Sequence, residues 1–360
     1  MKILYGVQGT GNGHITRARV MARALAQVGA EVDWVFSGRA REDLFDMAAF
    51  GDFRLYKGLT FSVKRSRIQY VKTLLQSDLR SLRREINSLD VEGYDLIIND
   101  FEPVSAWAAG KAKKEVIGIS HQNAFLYDIP KRGDNFLTAW FMRYFAPVTL
   151  PIGLHWHHFN QPILPPLVEP SPFPNQPRFN QYLVYLPFSE PEDIVRQLKR
   201  FPQYKFFVYQ KISAPQDHDH IHLRPFSRDG FQKDLHQCEG VICSAGFELL
   251  SEAIQLGKKL LVCPLAGQME QYSNALALHQ LGYGSVATRL DNKTIAAWLP
   301  LPRPKQVLFP DVATELAAWL ITGNRDLPAL SRKLWEGMSK LERSSAFGGL
   351  ISSQCGNGFS

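Results

Sequence analysis

The sequence predicts an α/β protein of two parallel, doubly wound halves. Three observations carry this. Residues 2–120 alternate short apolar runs with amphipathic stretches, the pattern of strands and helices that cover a parallel sheet. A second unit with the same alternation begins near Tyr182. Between them Pro162, Pro165, Pro166, Pro170, Pro172, Pro174 and Pro177 disfavour regular structure and mark a linker.

In the first half a strand over 2–7 runs into Gly9-Thr10-Gly11-Asn12-Gly13, and a helix over 14–28 is closed by Gly29. A strand over 31–37 and a short helix over 41–49 follow, then a basic segment and a long amphipathic helix over 70–89. A strand over 95–99 leads to a helix over 104–114, and a strand over 115–120 ends at His121. The second half reads as strands over 182–186, 205–209 and 221–225 with helices over 191–200 and 231–237. After the unit at 243–275 come a strand over 285–287 and helices near 292–298, 311–321 and 331–342. The expected domains are 1–160, a linker 161–180, a second domain 181–328, a C-terminal helix segment 329–345 and a mobile tail 346–360.

The 360 residues are 45% hydrophobic, enough for two cores. Cys238, Cys243, Cys263 and Cys355 show no CxxC spacing, and three lie in or beside apolar segments, as reduced core residues do. The first apolar run stops at Gln8 and no stretch approaches the ~20 apolar residues of a membrane span, so a cytoplasmic protein is expected. Net charge is +7, and residues 54–84 hold nine basic residues against Asp78 alone. That segment is either a solvated face or a contact for something anionic, such as a phospholipid surface or a lipid-linked phosphate acceptor. No nucleic-acid motif accompanies it. The aromatic run over 136–145 reads as packing or as a lipid contact. No GxSxG, HExxH or P-loop is present, and His218, His220 and His222 read as a solvated edge rather than a metal site.

Residues 243–275 carry the densest chemistry. Ser244, Ala245 and Gly246 form a small-residue turn after a strand, and Gly246 lets backbone approach a ligand. The helix starting at Phe247-Glu248 points free N–H groups into that space, which suits a phosphate. Ser251 and Glu252 lie further inside the helix, where the carboxylate can accept two ribose hydroxyl bonds. The polar turn of Gln268, Glu270 and Gln271 opens a helix carrying Asn274, at a junction where sugar hydroxyls can be held.

The first turn places glycines at 9, 11 and 13, which is not the G-x-G-x-x-G of dinucleotide sites. His14 opens the helix beyond it, with an imidazole suited to deprotonate a hydroxyl. Asp100 and Glu102, after the 95–99 strand, are candidates to orient His14, to be the base, or to cap the next helix before Pro103. His121-Gln122-Asn123 is expected to line the acceptor side.

These residues resemble GT-B glycosyltransferases of the MurG and UDP-glycosyltransferase type. The fixed points are Ala245-Gly246, Ser251-Glu252, Gly257, Pro264, Gln271 and Asn274-Ala275, with Gly11, Gly13 and His14 matching a Gly-rich turn that ends in Gly-His. The resemblance implies two Rossmann-like domains facing a cleft, with the final helix returning to the first domain. It also implies a nucleotide-sugar donor, UDP-linked, a hydroxyl acceptor and no metal or other cofactor. The sequence departs from the plant and animal enzymes around the diphosphate, where a His and an Asn-Ser pair are replaced by Ser244 and Glu248-Leu249. Glu248 is unfavourable beside a phosphate unless it turns away or contacts the sugar. Two rival readings remain: a non-hydrolysing UDP-sugar 2-epimerase leaning on Glu102 and Glu248, and a non-catalytic nucleotide-sugar binder.

Overall fold

The computed structural model describes residues 1–44, 46–59, 63–64, 67–68 and 78–339. The first half holds a parallel sheet of β1 (Lys2–Gln8), β2 (Glu31–Ser37), β3 (Phe53–Tyr56), β6 (Leu96–Asp100), β7 (Val116–Ser120) and β8 (Leu150–Gly153). Its order is β3-β2-β1-β6-β7-β8, and every pairing is parallel. A two-stranded hairpin, β4 (Val63–Lys64) and β5 (Arg67–Ile68), lies outside that sheet. Central strands such as β6 and β7 are buried along their whole length, as helix cover on both faces demands.

The second half repeats the plan with β9 (Gln181–Tyr185), β10 (Lys205–Gln210), β12 (Ile221–Pro225), β13 (Gly240–Cys243), β14 (Lys259–Val262) and β15 (Ser285–Val286). The edge strand β11 (Gln216–His218) is antiparallel to β12. The order β11-β12-β10-β9-β13-β14-β15 turns back between β9 and β13, as the first sheet does between β1 and β6. In open sheets such reversals open crevices beyond the carboxyl ends of the strands, where ligands bind.

The helices are α1 (Asn12–Gln27), α2 (Leu79–Ser88), α3 (Pro103–Lys111), α4 (His121–Ala124), α5 (Phe136–Tyr144), α6 (Pro191–Leu198), α7 (Arg228–Gln237), α8 (Phe247–Gln255), α9 (Met269–Gln280), α10 (Asn292–Trp298) and α11 (Val312–Ile321), with α12 over 327–339. The chain returns to the first half earlier than the sequence suggests. α11 already packs on α1, and α12 continues the contact, where Ser331 Oγ and Trp335 Nε1 both donate to the Ile163 carbonyl. α11, which lies before the boundary expected at 328, therefore packs on the first domain's surface.

Two further expectations change. β8 went unread because Thr149 and Pro151 break its apolar pattern; at a sheet edge a proline is tolerated. The proline-rich stretch is not a loose tether, since Ile163, Leu164 and Leu167 are buried in the core and Leu154 bridges Leu164. The long helix expected over 70–89 is seen only as α2; residues 69–77 lie outside the described residues, as do Arg65, Lys72, Cys355 and everything from 340 on, including the expected tail.

Candidate functional site

The site forms where α1 and α8 start, one from each half. Gly11 is the N-cap of α1 and Gly246 that of α8, and neither helix has a side-chain cap, so their first N–H groups stay free. The two starts meet: a Cβ on Gly13 would overlap the Glu248 carboxylate. The positive ends of two helix dipoles thus converge on one point.

β1 leads into α1 and β6 ends at Asp100, which brings His14 and Asp100 together at that point. His14 Nδ1 lies 2.8 Å from Asp100 Oδ1. The carboxylate only accepts, so this contact calls for the ring proton on Nδ1 and leaves Nε2 basic, while the donor Arg17 Nη2 stands 3.0 Å from the same Nδ1. Arg17, one turn along α1 from His14, chelates the same carboxylate, Nε donating to Oδ2 and Nη2 to Oδ1 at 2.8 Å each. Burial alone would raise the Asp100 carboxyl, but Arg17 and His14 outweigh it and hold the group below the usual range. Asp100 is therefore an ionised orienter of His14.

Glu102 takes a different role. Asp100 and Glu102 would share a face if the strand continued, but Phe101 between them has φ +55°, a left-handed conformation rare for a bulky residue. The chain turns there, and Glu102 points into the protein. It caps α3, accepting from the Val104 and Ser105 N–H groups and from the Ser105 and Ser37 hydroxyls. It is fully buried, and burial raises its pKa against those hydrogen bonds. The structure brings Asp100, not Glu102, to His14.

In the second half Glu248 forms an ion pair with Arg17 and its carboxylate lies against Gly13. Glu252 accepts from Gln232 Nε2 at 2.7 Å, and burial pushes its carboxyl up to about 7.

Other residues singled out from the sequence brace the halves. Phe247 is stacked flat on His121, with ring centroids 3.9 Å apart. Ser251 Oγ accepts from Trp156 Nε1 at 2.8 Å. Asn274 Nδ2 donates to the Ala245 carbonyl, while its Oδ1 lies 2.6 Å from His121 Nε2. His121 is fully buried in this joint, so it does not line an open acceptor side. Gln271 Oε1 accepts from the Ala245 and Leu265 N–H groups, tying the two turns of the donor unit together. Glu270 accepts from Gln122 across the halves at 3.1 Å. Gln268 is the N-cap of α9 without a side-chain cap bond, and Ser244 N–H donates to the Tyr185 carbonyl.

Sequence reasoning missed Arg17 and the clamp on the first turn. Arg39 donates to Asn12 Oδ1 and the Thr10 carbonyl, and the Tyr185 hydroxyl from the second half bonds to Asn12. The i, i+3 spacing of His14 and Arg17 on one helix face was a readable signal; the cross-half contacts had none.

The sequence profile described as Glycosyl transferase family 1 matches residues 1–302. Comparison with curated proteins finds no match. Among solved structures, the glycosyltransferase SnogD from Streptomyces nogalater aligns with TM-score 0.55 at 15% identity, covering 95% of this chain and 99% of its own. The glycotransferase of kitacinnamycin aligns with TM-score 0.58 at 14% identity, over 95% and 98%. The Streptomyces sp. SF2575 glycosyltransferase SsfS6, complexed with thymidine diphosphate, gives TM-score 0.55 at 13% identity, over 94% and 96%. At these identities the likeness is one of fold, and it spans both Rossmann-like halves. With the family profile matching residues 1–302, the chain belongs to glycosyl transferase family 1 and is a GT-B glycosyltransferase.

Proposed function

We propose that the protein moves a hexosyl or N-acetylhexosaminyl group from a nucleoside-diphosphate sugar, UDP-linked, to a hydroxyl acceptor. The observation that carries this is the His14–Asp100 pair facing two uncapped helix starts. In this reading Nε2 of His14 takes the acceptor proton as its oxygen attacks the anomeric carbon. The bond to the diphosphate breaks, and the N-terminal N–H groups of α8, with those at Gly11 and Gly13, stabilise the leaving charge without a metal. Glu252 accepts the ribose hydroxyls, and Glu270 and the free amide of Gln271 hold the sugar. The SsfS6 complex with thymidine diphosphate supports a nucleoside-diphosphate site in this fold.

For the acceptor we propose a lipid-linked or cell-envelope glycan, reached from the cytoplasmic face of an anionic membrane. Phe136, Leu137, Trp140 and Tyr144 of α5 are exposed, Phe136 by 80%. Beneath them Phe101, Phe125 and Phe145 pack with Leu59, at the start of the basic segment. No described helix is long and apolar enough to cross a membrane.

The test is a thermal-shift screen with UDP, TDP and their sugars, followed by product analysis with and without an alcohol acceptor. Transfer that requires the acceptor is the expected result. A 2-epimerised donor formed without acceptor supports the epimerase instead; binding with neither transfer nor slow hydrolysis supports the binder. Liposome binding that needs anionic lipid and is lost when Lys64, Arg65 and Arg67 become Gln supports the membrane part.

A further inference from the structure

We propose that Gln122, a residue of the first half, reads one hydroxyl of the donor sugar and so decides which sugars the site takes. The inference rests on the reading that places the donor sugar at Glu270 and Gln271, and its test separates the two.

Gln122 follows His121 in α4, the short helix that opens directly beyond β7. Its place is fixed on both sides. Ahead of it His121 is stacked on Phe247, and behind it the Asn123 N–H donates to the Ser120 hydroxyl at 3.1 Å. Gln122 is only 6% exposed, and it reaches across to the second half, where Nε2 donates to Glu270 Oε2 at 3.1 Å. Glu270 lies in the first turn of α9, a twelve-residue helix whose N-cap, Gln268, makes no side-chain cap bond.

That contact fixes which way the amide faces. A carboxylate oxygen only accepts, so Nε2 is the atom turned to Glu270. Oε1, on the same carboxamide, is buried without a hydrogen-bond partner. Buried polar groups are paired almost everywhere in folded proteins, and an unpaired one is costly. An unpaired acceptor beside the Glu270 carboxylate calls for a donor that arrives with the ligand. Glu270 accepts as well, so the two residues present acceptors side by side. Two neighbouring donors on one sugar ring match them: a pair of hydroxyls, or a hydroxyl and an amide N–H. A sugar without the matching hydroxyl leaves Oε1 unpaired. A site built to bond a hydroxyl rejects such an analogue more strongly than an apolar pocket rejects a change of size. Gln122 is thus a specificity-determining residue that favours hydroxyl-rich sugars over deoxy sugars.

The experiment is calorimetric binding to the full chain, wild type and Gln122→Met. The probes are UDP, UDP-glucose, UDP-N-acetylglucosamine and a set of UDP-glucoses in which fluorine replaces one sugar hydroxyl at a time. Methionine keeps the length of the side chain and removes both amide groups. The wild type should bind at least one of the two sugar nucleotides more tightly than UDP. Gln122→Met should lose about 3- to 10-fold of that gain, with UDP affinity unchanged. Fluorine at one position should cost the wild type a like factor and cost Gln122→Met nothing, the mark of a direct contact. Gln122→Asn keeps the amide but draws it back by one methylene; it should behave as Gln122→Met and takes its place if the methionine variant does not fold. A lower melting temperature with the sugar gain intact would overturn the inference and leave Gln122 a brace between the halves. So would equal fluorine losses in both proteins at every position, and so would a wild type that binds neither sugar nucleotide better than UDP. A sugar gain that is lost in Gln122→Met, in a wild type that transfers nothing to an alcohol, would count against the transfer reading and leave Gln122 standing. Transfer with the gain unchanged in the variant would do the reverse.

Discussion

The turn after β1 and the turn after β13 are built alike, yet their polar residues are used differently. At the first, His14, Asp100 and Arg17 form one connected group beside an open helix start. At the second, Ser251, Gln271 and Asn274 spend hydrogen bonds on holding turns and halves together. A polar residue at a strand end beside a cleft therefore has two fates. At the second turn its partners are protein; at the first, the proposed reaction assigns His14 to the acceptor. Sequence position alone does not separate these, because the touching residues lie about 80 to 150 positions apart.

The largest effect that sharpens this comparison is Asp100→Asn. It leaves Arg17 buried with one partner short, and breaking such a pair costs about 3–5 kcal/mol. Urea unfolding should show a loss of that order together with slower transfer. A variant of wild-type stability would mean that Asp100 does not anchor the first turn. The depressed Asp100 pKa adds a pH signature. Its contribution is present above the ordinary aspartate range and is lost as pH falls through the lower folded value.

Asn274→Ala tests the bracing side. It strips a partner from the buried Ala245 carbonyl and from His121, at about 1–3 kcal/mol. The melting temperature should fall, with donor KM changed little in the fraction that stays folded. A normal melting temperature with a raised donor KM would move Asn274 from brace to ligand site.

Glu252 gives the smallest effect and the opposite sign from Asp100. Its folded pKa, about 7, lies above its unfolded value, so the folded state binds the extra proton between about 4.5 and 7. Stability should fall as pH rises through that window, and Glu252→Gln should remove the fall. UDP affinity should instead rise over the same window as the accepting carboxylate forms. Affinity flat in pH would remove Glu252 from ribose binding.

Much of the fold was legible because β1, β2, β6 and β7 each hold a short apolar run and because α1 and α8 follow glycine turns. β8 and the early return of α11 were not, since one depends on tolerance at a sheet edge and the other on which surface a helix finds. At the site, His14 and the pairing with a carboxylate near 100 were readable. The choice between Asp100 and Glu102 was not, because it turns on the left-handed backbone of Phe101. Arg17 could have been found from its spacing to His14; the partner that completes it, Glu248, belongs to the other half.

The most direct test of the central claim is single-turnover transfer by His14→Ala beside UDP binding by the same variant. Loss of a positioned base is expected to slow transfer by ~10²–10⁴-fold and to erase the acidic limb of the pH–rate profile, with UDP affinity nearly unchanged. Normal transfer with that limb intact would contradict the account and remove His14 from the chemistry.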